Sequence, residues 1–227
     1  MPIDIQRVKA LCFDVDGTLR DTDDQIVDKL AKRLRLVRFL FSRRDERLAA
    51  RRLVMGLISP ANFFYRLLDW LTIDDEVVGI GDWLHKKQLL KPENEFLIVS
   101  QADACLSSLA PHFPMSVVSA RGERGTMAFL DYFDMVGLFN CIATGQTAPR
   151  TKPWPDPVLW AAEKMGVPPE NCLMIGDTTV DIRAGRAAGA QTIGVLSGFG
   201  YERELIKAGA DDIIDSIADL PHFLRRT

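Results

Sequence analysis

The sequence predicts an α/β fold: a doubly wound, Rossmann-like parallel sheet interrupted by one inserted all-helical domain. Three observations predict it. Over the second half, short apolar runs alternate with stretches whose apolar residues recur at helical spacing. The runs are nearly continuous in apolar character, as expected for strands covered on both faces. Residues 24–91, by contrast, show only the helical period.

Taken in order, Val8 to Phe13 is a short apolar run that stops abruptly at Asp14-Val15-Asp16-Gly17-Thr18. A buried strand followed by a turn has that form. From Asp24 to Lys91 come Ile26, Leu30, Leu34, Val37 and Leu40, then further sets around Leu48, Phe63, Leu67 and Val77, broken at Ser59-Pro60 and Lys91-Pro92. Four helices and no strand are expected there. Helices are then expected over 103–109, 124–133, 157–165, 181–188 and 202–208, and strands over 115–118, 140–143, 172–175, 191–196 and 212–214. Strand and helix in alternation imply parallel β-α-β units with right-handed crossovers. The boundaries predict a core of residues 1–19 and 97–227 and a helical domain over 20–96, with hinges near 19–23 and 92–96.

Bulk composition narrows the function classes. The chain has 227 residues, 47% hydrophobic and 26% charged, and a net charge of -3. That is ample material for a core and gives no general attraction to nucleic acid or anionic lipid. No apolar stretch reaches transmembrane length, and the N-terminal residues lack a signal-peptide pattern, so a cytoplasmic protein without a membrane partner is expected. Cys12, Cys105, Cys141 and Cys172 form no Cys-x-x-Cys pair and are expected to be reduced, buried thiols. The ten Lys and Arg residues between Lys29 and Arg52 suit either a solvated helical face or recognition of an anionic substrate.

In an open parallel sheet, ligands bind beyond the carboxyl ends of the strands. The polar residues that follow each apolar run should therefore converge: Asp14, Asp16 and Thr18 after the first, Ser119 after the second, Lys152 by way of a loop after the third, and Asp177 and Asp181 after the fourth. Carboxylates crowded together repel unless a cation neutralises them. A hard divalent ion with oxygen ligands does so, and Mg²⁺ suits a site that also takes phosphate. Lys152 adds a second positive charge, and hydroxyls add donors for a phosphoryl group.

Asp14-Val15-Asp16-Gly17-Thr18, Ser119, Lys152-Pro153 and Gly176-Asp177-x-x-x-Asp181 resemble, in order, the four motifs of the haloacid dehalogenase-like superfamily. The nearest likeness is to its phosphoglycolate phosphatase-like and β-phosphoglucomutase-like branch, and the helical insert resembles that branch's cap. The resemblance implies a Mg²⁺-dependent phosphatase acting on a small phosphorylated metabolite through an aspartyl-phosphate. It implies Asp14 as nucleophile, Asp16 as general acid and base, and Lys152 as partner of Asp14 and the phosphate. Thr18, Ser119, Ala120 and Lys152 would hold the phosphoryl oxygens. Asp14, Asp177 and the backbone carbonyl of Asp16 would hold the metal, with Asp181 acting through a water. The dehalogenases of the superfamily lack the second carboxylate, so Asp16 favours phosphoester chemistry.

Two other functions are compatible with these residues. A phosphomutase would use the same nucleophile, but the stretch Arg20-Asp21-Thr22-Asp23-Asp24-Gln25 lacks the His that would gate the acid/base residue, which favours water as acceptor. A non-catalytic phosphate-binding protein on the same fold is the third possibility. A monomer or weak dimer is expected, with no nucleic-acid partner.

Overall fold

The computed structural model describes residues 3–21 and 96–225. The chain divides into two compact units, residues 1–22 with 97–227, and residues 23–96. The four helices expected between residues 24 and 91 lie outside the described residues. So does the helical domain expected over 20–96, apart from residues 20, 21 and 96.

The described part of the first unit is built on six strands: β1 (Ala10–Phe13), β2 (Met115–Val118), β3 (Cys141–Ala143), β4 (Cys172–Gly176), β5 (Gln191–Val195) and β6 (Asp212–Ile214). Their order is β3-β2-β1-β4-β5-β6, and every neighbouring pair is parallel. This is the doubly wound arrangement predicted. The chain winds outward from β1 to one edge, then returns to place β4 on the other side of β1. The reversal at β1 and β4 leaves a crevice at their carboxyl ends, where such sheets take their ligands.

Six helices connect or follow the strands: α1 (Ala102–Leu109), α2 (Glu123–Tyr132), α3 (Asp156–Met165), α4 (Thr179–Ala188), α5 (Glu202–Ala208) and a short α6 (Leu220–Phe223). Five match the expected helices to within one or two residues. The sixth was missed, because one helical turn behind Ser216 carries no period to detect. Local chemistry sets the ends. α3 stops at Gly166 and α4 at Gly189, each in the left-handed conformation that glycine adopts without a Cβ penalty.

Alternation along β1 divides the core. Ala10 and Cys12 pack with Ala161 and Ala162 of α3 and Ala184 of α4. These small side chains let two helices lie close to the sheet. Leu11 and Phe13 point to the opposite face and are fully buried. Phe13 meets Phe139 edge to face at 6.3 Å. Burying a side chain of that size contributes roughly 2–3 kcal/mol, so β1 is anchored from both sides just before its functional end. All four cysteines are free, as expected; Cys12, Cys105 and Cys172 are buried, whereas Cys141, on edge strand β3, departs from the expectation in being only partly buried. Burial pushes the Cys105 thiol up to about 12 and the Cys141 thiol to about 11, which keeps both protonated.

Candidate active site

Strand register brings the first and fourth motifs together. Phe13 of β1 is level with Ile175 of β4, and the Asp14 N–H donates to the Ile175 carbonyl at 2.9 Å. Asp14 and Asp177 therefore leave adjacent strands at the sheet's reversal point. After Asp14 the chain wraps tightly: the Val15 carbonyl accepts from the N–H groups of Thr18, Leu19 and Arg20 at 3.3, 2.9 and 2.8 Å. Gly17 sits in this turn with φ +83°, and a Cβ there would collide with the Asp177 carboxylate. Glycine thus serves both the turn and the close approach of a carboxylate.

Asp177 is fully buried. Its Oδ2 accepts from the Phe199 N–H at 2.7 Å. A Cβ on Gly198 would also overlap it, so the loop after β5 forms one wall. Asp181 stands at the third position of α4. Its Oδ2 accepts from the Thr178 N–H at 2.9 Å and the Thr178 hydroxyl at 2.6 Å, closing the helix N-terminus. The expectation that Asp181 begins the helix is thus corrected by two residues, because its carboxylate caps the turn before it.

Lys152 joins the group from the loop before α3. Its Nζ donates to Asp14 Oδ1 and to Asp181 Oδ1, both at 2.6 Å. Carboxylate oxygens of Asp14, Asp177 and Asp181 lie within 4.8 Å of one another, and all three residues are buried. One ammonium does not balance three carboxylates. Burial, then the Asp181 carboxylate, push Asp14 up to about 7 against the opposing pull of Lys152. Burial alone would lower Lys152, but Asp14 and Asp181 outweigh it and raise it above the ordinary lysine range. The donor set is all hard oxygen, compact and over-acidic, which fits a Mg²⁺-like ion.

The hydroxyl residues flank this group. Thr18 is fully buried, and its Oγ1 makes no hydrogen bond among the described residues. Ser119 follows β2, is 2% exposed, and its Oγ accepts from the Arg121 N–H at 3.1 Å. Ala120 comes next in the chain and is exposed.

Asp16 lies apart from the three buried carboxylates in its contacts. Its Oδ2 and Oδ1 accept from Arg121 Nε and Nη2, both at 3.0 Å, and Arg20 Nη1 is 3.6 Å from Oδ1. Neither arginine was singled out from the sequence, nor was the Ser197–Gly200 loop behind Asp177. Arg121 had one available signal, its place two residues after Ser119.

Residues 11–195 match the family model described as haloacid dehalogenase-like hydrolase. A phosphoglycolate phosphatase of Escherichia coli is 32% identical over 128 residues, which is 56% of this chain and 51% of that protein. The chain thus spans about half the length of the first curated relatives it matches. A phosphoglycolate phosphatase of Nitrosococcus oceani is 27% identical over 231 residues, covering 97% of this chain and 98% of that one. Among solved structures, a hydrolase from Pseudomonas syringae superposes with a TM-score of 0.67 at 25% identity, covering 95% of this chain and 97% of that chain. A predicted phosphoglycolate phosphatase from Haemophilus somnus shares the fold, with a TM-score of 0.64 at 21% identity and coverage of 96% and 99%.

Proposed function

Because this chain belongs to the haloacid dehalogenase-like hydrolase family, we propose that it is a Mg²⁺-dependent phosphatase that forms a covalent phosphate on Asp14. The observation that carries the reading is the buried Asp14 carboxylate at the end of β1, tied through Lys152 to Asp181 and grouped with Asp177. The relatives named phosphoglycolate phosphatase support a small phosphorylated metabolite as substrate.

In this mechanism an Asp14 oxygen attacks phosphorus, and the bond to the ester oxygen breaks. Asp16, as the acid, gives its proton to the departing alkoxide. Asp16 then takes a proton from water, which attacks the phosphorus of the aspartyl-phosphate and returns Asp14 as a carboxylate with free inorganic phosphate. Lys152 holds Asp14 in line and offsets charge on the phosphoryl oxygens, while Thr18 and Ser119, with the backbone at Ala120, bind those oxygens. Asp14, Asp177 and the Asp16 carbonyl would hold Mg²⁺, with Asp181 behind them. The ion would neutralise the phosphoryl group and the crowded carboxylates. The insert over 20–96 is assigned as a cap that excludes water and selects the leaving group.

The test is release of inorganic phosphate from a panel of small phosphomonoesters with Mg²⁺ present. Turnover is expected to vanish on chelation and to fall about 10⁴-fold or more in Asp14→Asn. Full activity in Asp14→Asn would overturn the assignment of the nucleophile.

A further inference from the structure

The Asp177 carboxylate is held between two loops that lie far apart in the chain. Its Oδ2 stands where a Cβ on Gly17 would be, in the turn after β1, and also where a Cβ on Gly198 would be, in the loop after β5. The same oxygen accepts from the Phe199 N–H at 2.7 Å. A Cβ on Gly200 would overlap the Asp177 backbone carbonyl. The loop after β5 is therefore moulded on Asp177, side chain and main chain together, and leaves no space for a side chain at either glycine.

One hydroxyl ties the two loops to each other. Ser197 Oγ donates to the Gly17 carbonyl at 3.0 Å, between positions 180 residues apart in sequence. The peptide plane that carries this carbonyl meets the plane of the Asp16 carbonyl at the Gly17 Cα. Glycine turns freely about that atom, so a bond to one plane restrains the other where no side chain does. The Asp16 carbonyl is the group assigned above to Mg²⁺. The loop that supplies Ser197 is itself anchored at both ends. Val195 and Leu205 are fully buried, and the Leu196 N–H donates to the Ile214 carbonyl at 3.1 Å. Ser197, by contrast, is only half-buried, so its hydroxyl adds little to the core.

We propose that Ser197 is a positioning residue for the metal: it holds the turn bearing Asp14 and the Asp16 carbonyl against the loop that grips Asp177, and so sets how tightly Mg²⁺ binds. This rests on the metal-dependent phosphatase reading above and adds a residue to it. Ser197 touches neither ion nor substrate and acts through Gly17 and Asp177. Groups that orient metal ligands in this way change affinity about 10- to 100-fold when lost. No covalent step is involved.

The experiment is calorimetric titration of the metal-stripped full chain with Mg²⁺, beside thermal melting without metal. Ser197→Ala is expected to weaken Mg²⁺ binding about tenfold or more, while the metal-free Tm falls by no more than about 4 °C. Ser197→Thr keeps the hydroxyl and should return the affinity to within about threefold of wild type. Gly198→Ala presses a methyl on Asp177 from the same loop and should weaken Mg²⁺ about tenfold or more. Hydrogen exchange of metal-free protein, read by mass spectrometry, shows the tie without the ion: peptides over residues 14–20 and 197–201 should both lose protection in Ser197→Ala. Faster exchange confined to 197–201, or a loss of affinity that Ser197→Thr does not recover, would overturn the proposal. Wild type and Ser197→Ala binding Mg²⁺ equally would overturn it and leave the phosphatase reading standing. A wild type that takes up no Mg²⁺ would overturn the metal-dependent reading and this proposal together.

Discussion

Two acid–base groups stand at the same end of the sheet and differ in nearly every physical respect. Around Lys152, the residues are 0–7% exposed and come from four separate places: the ends of β1 and β4, the first turn of α4 and the loop before α3. Around Arg121, the paired side chains are about a third as exposed as they would be in free solution, at 27% and 30%. A buried charge cannot lose its partner without a large desolvation penalty, whereas an exposed pair is exchanged for water or ligand at little cost. The first group suits a nucleophile that must not move. The second suits a proton carrier that must.

The most direct way to break this contrast is to remove the buried ammonium. Lys152→Met leaves the Asp14 and Asp181 oxygens, now accepting from Nζ at 2.6 Å, without their cation. In metal-stripped protein we expect about 3–5 kcal/mol of lost stability by urea denaturation, with much of it restored by Mg²⁺. A loss below about 1 kcal/mol would mean the group is better hydrated than its burial implies.

Gly17→Ala probes the geometry rather than the charge. Its φ of +83° disfavours a side chain, and the added Cβ would overlap the Asp177 carboxylate. The left-handed backbone alone costs roughly 1–2 kcal/mol, and displacement of Asp177 should weaken Mg²⁺ affinity about tenfold or more. Calorimetric Mg²⁺ titration beside thermal melting separates the two effects. Strain with intact metal affinity would show that Asp177 is not held by that turn.

Protonation gives a third handle. Asp14 is raised from 3.8 to about 7 in the folded, metal-free protein. The unfolded chain releases this proton first, so between those values the folded state holds more protons. The contribution of Asp14 to stability is therefore complete at the acid end and is lost as pH rises through about 7. A dication that neutralises the carboxylates should oppose that loss. The gain in Tm from Mg²⁺ over chelator is accordingly expected to be larger at about pH 8 than at about pH 5. An equal gain at both would show that the ion does not bind against Asp14.

The two groups also differ in how far the sequence discloses them. Asp14, Asp177 and Lys152 follow apolar runs, and a parallel sheet carries whatever follows its strands to one edge, so their meeting is legible from strand order alone. The strands are legible because burial on both faces leaves continuous apolar runs, and five helices because burial on one face leaves apolar residues at helical spacing. Arg121 is not legible in that way. It lies two residues beyond Ser119, and its direction is set by the Gly145 backbone contact and the space over Gly125, neither of which has a period or a motif. The Phe199 N–H on Asp177 is hidden likewise, because a loop amide has no sequence signature. The start of α4, expected at residue 181 and found at Thr179, was read late for a smaller reason: a capping threonine and its aspartate three residues on can be read as loop or as helix until the turn is seen.

The smallest expected effect is the most discriminating. Arg121→Met removes two hydrogen bonds from Asp16, as many as Lys152→Met removes from its carboxylates, yet Asp16 keeps access to water and Arg20 stays 3.6 Å away. Hydration then replaces most of what the guanidinium supplied, and the loss of stability should stay under about 1 kcal/mol. Urea denaturation of the two methionine variants side by side makes the comparison without reference to any substrate. Similar losses would place Asp16 in the same rigid network as Asp14, and a carboxylate locked there could not travel to a leaving oxygen. A small loss is what a half-exposed pair requires: the energy of the pair lies in where it directs Asp16, and little of it in holding the fold.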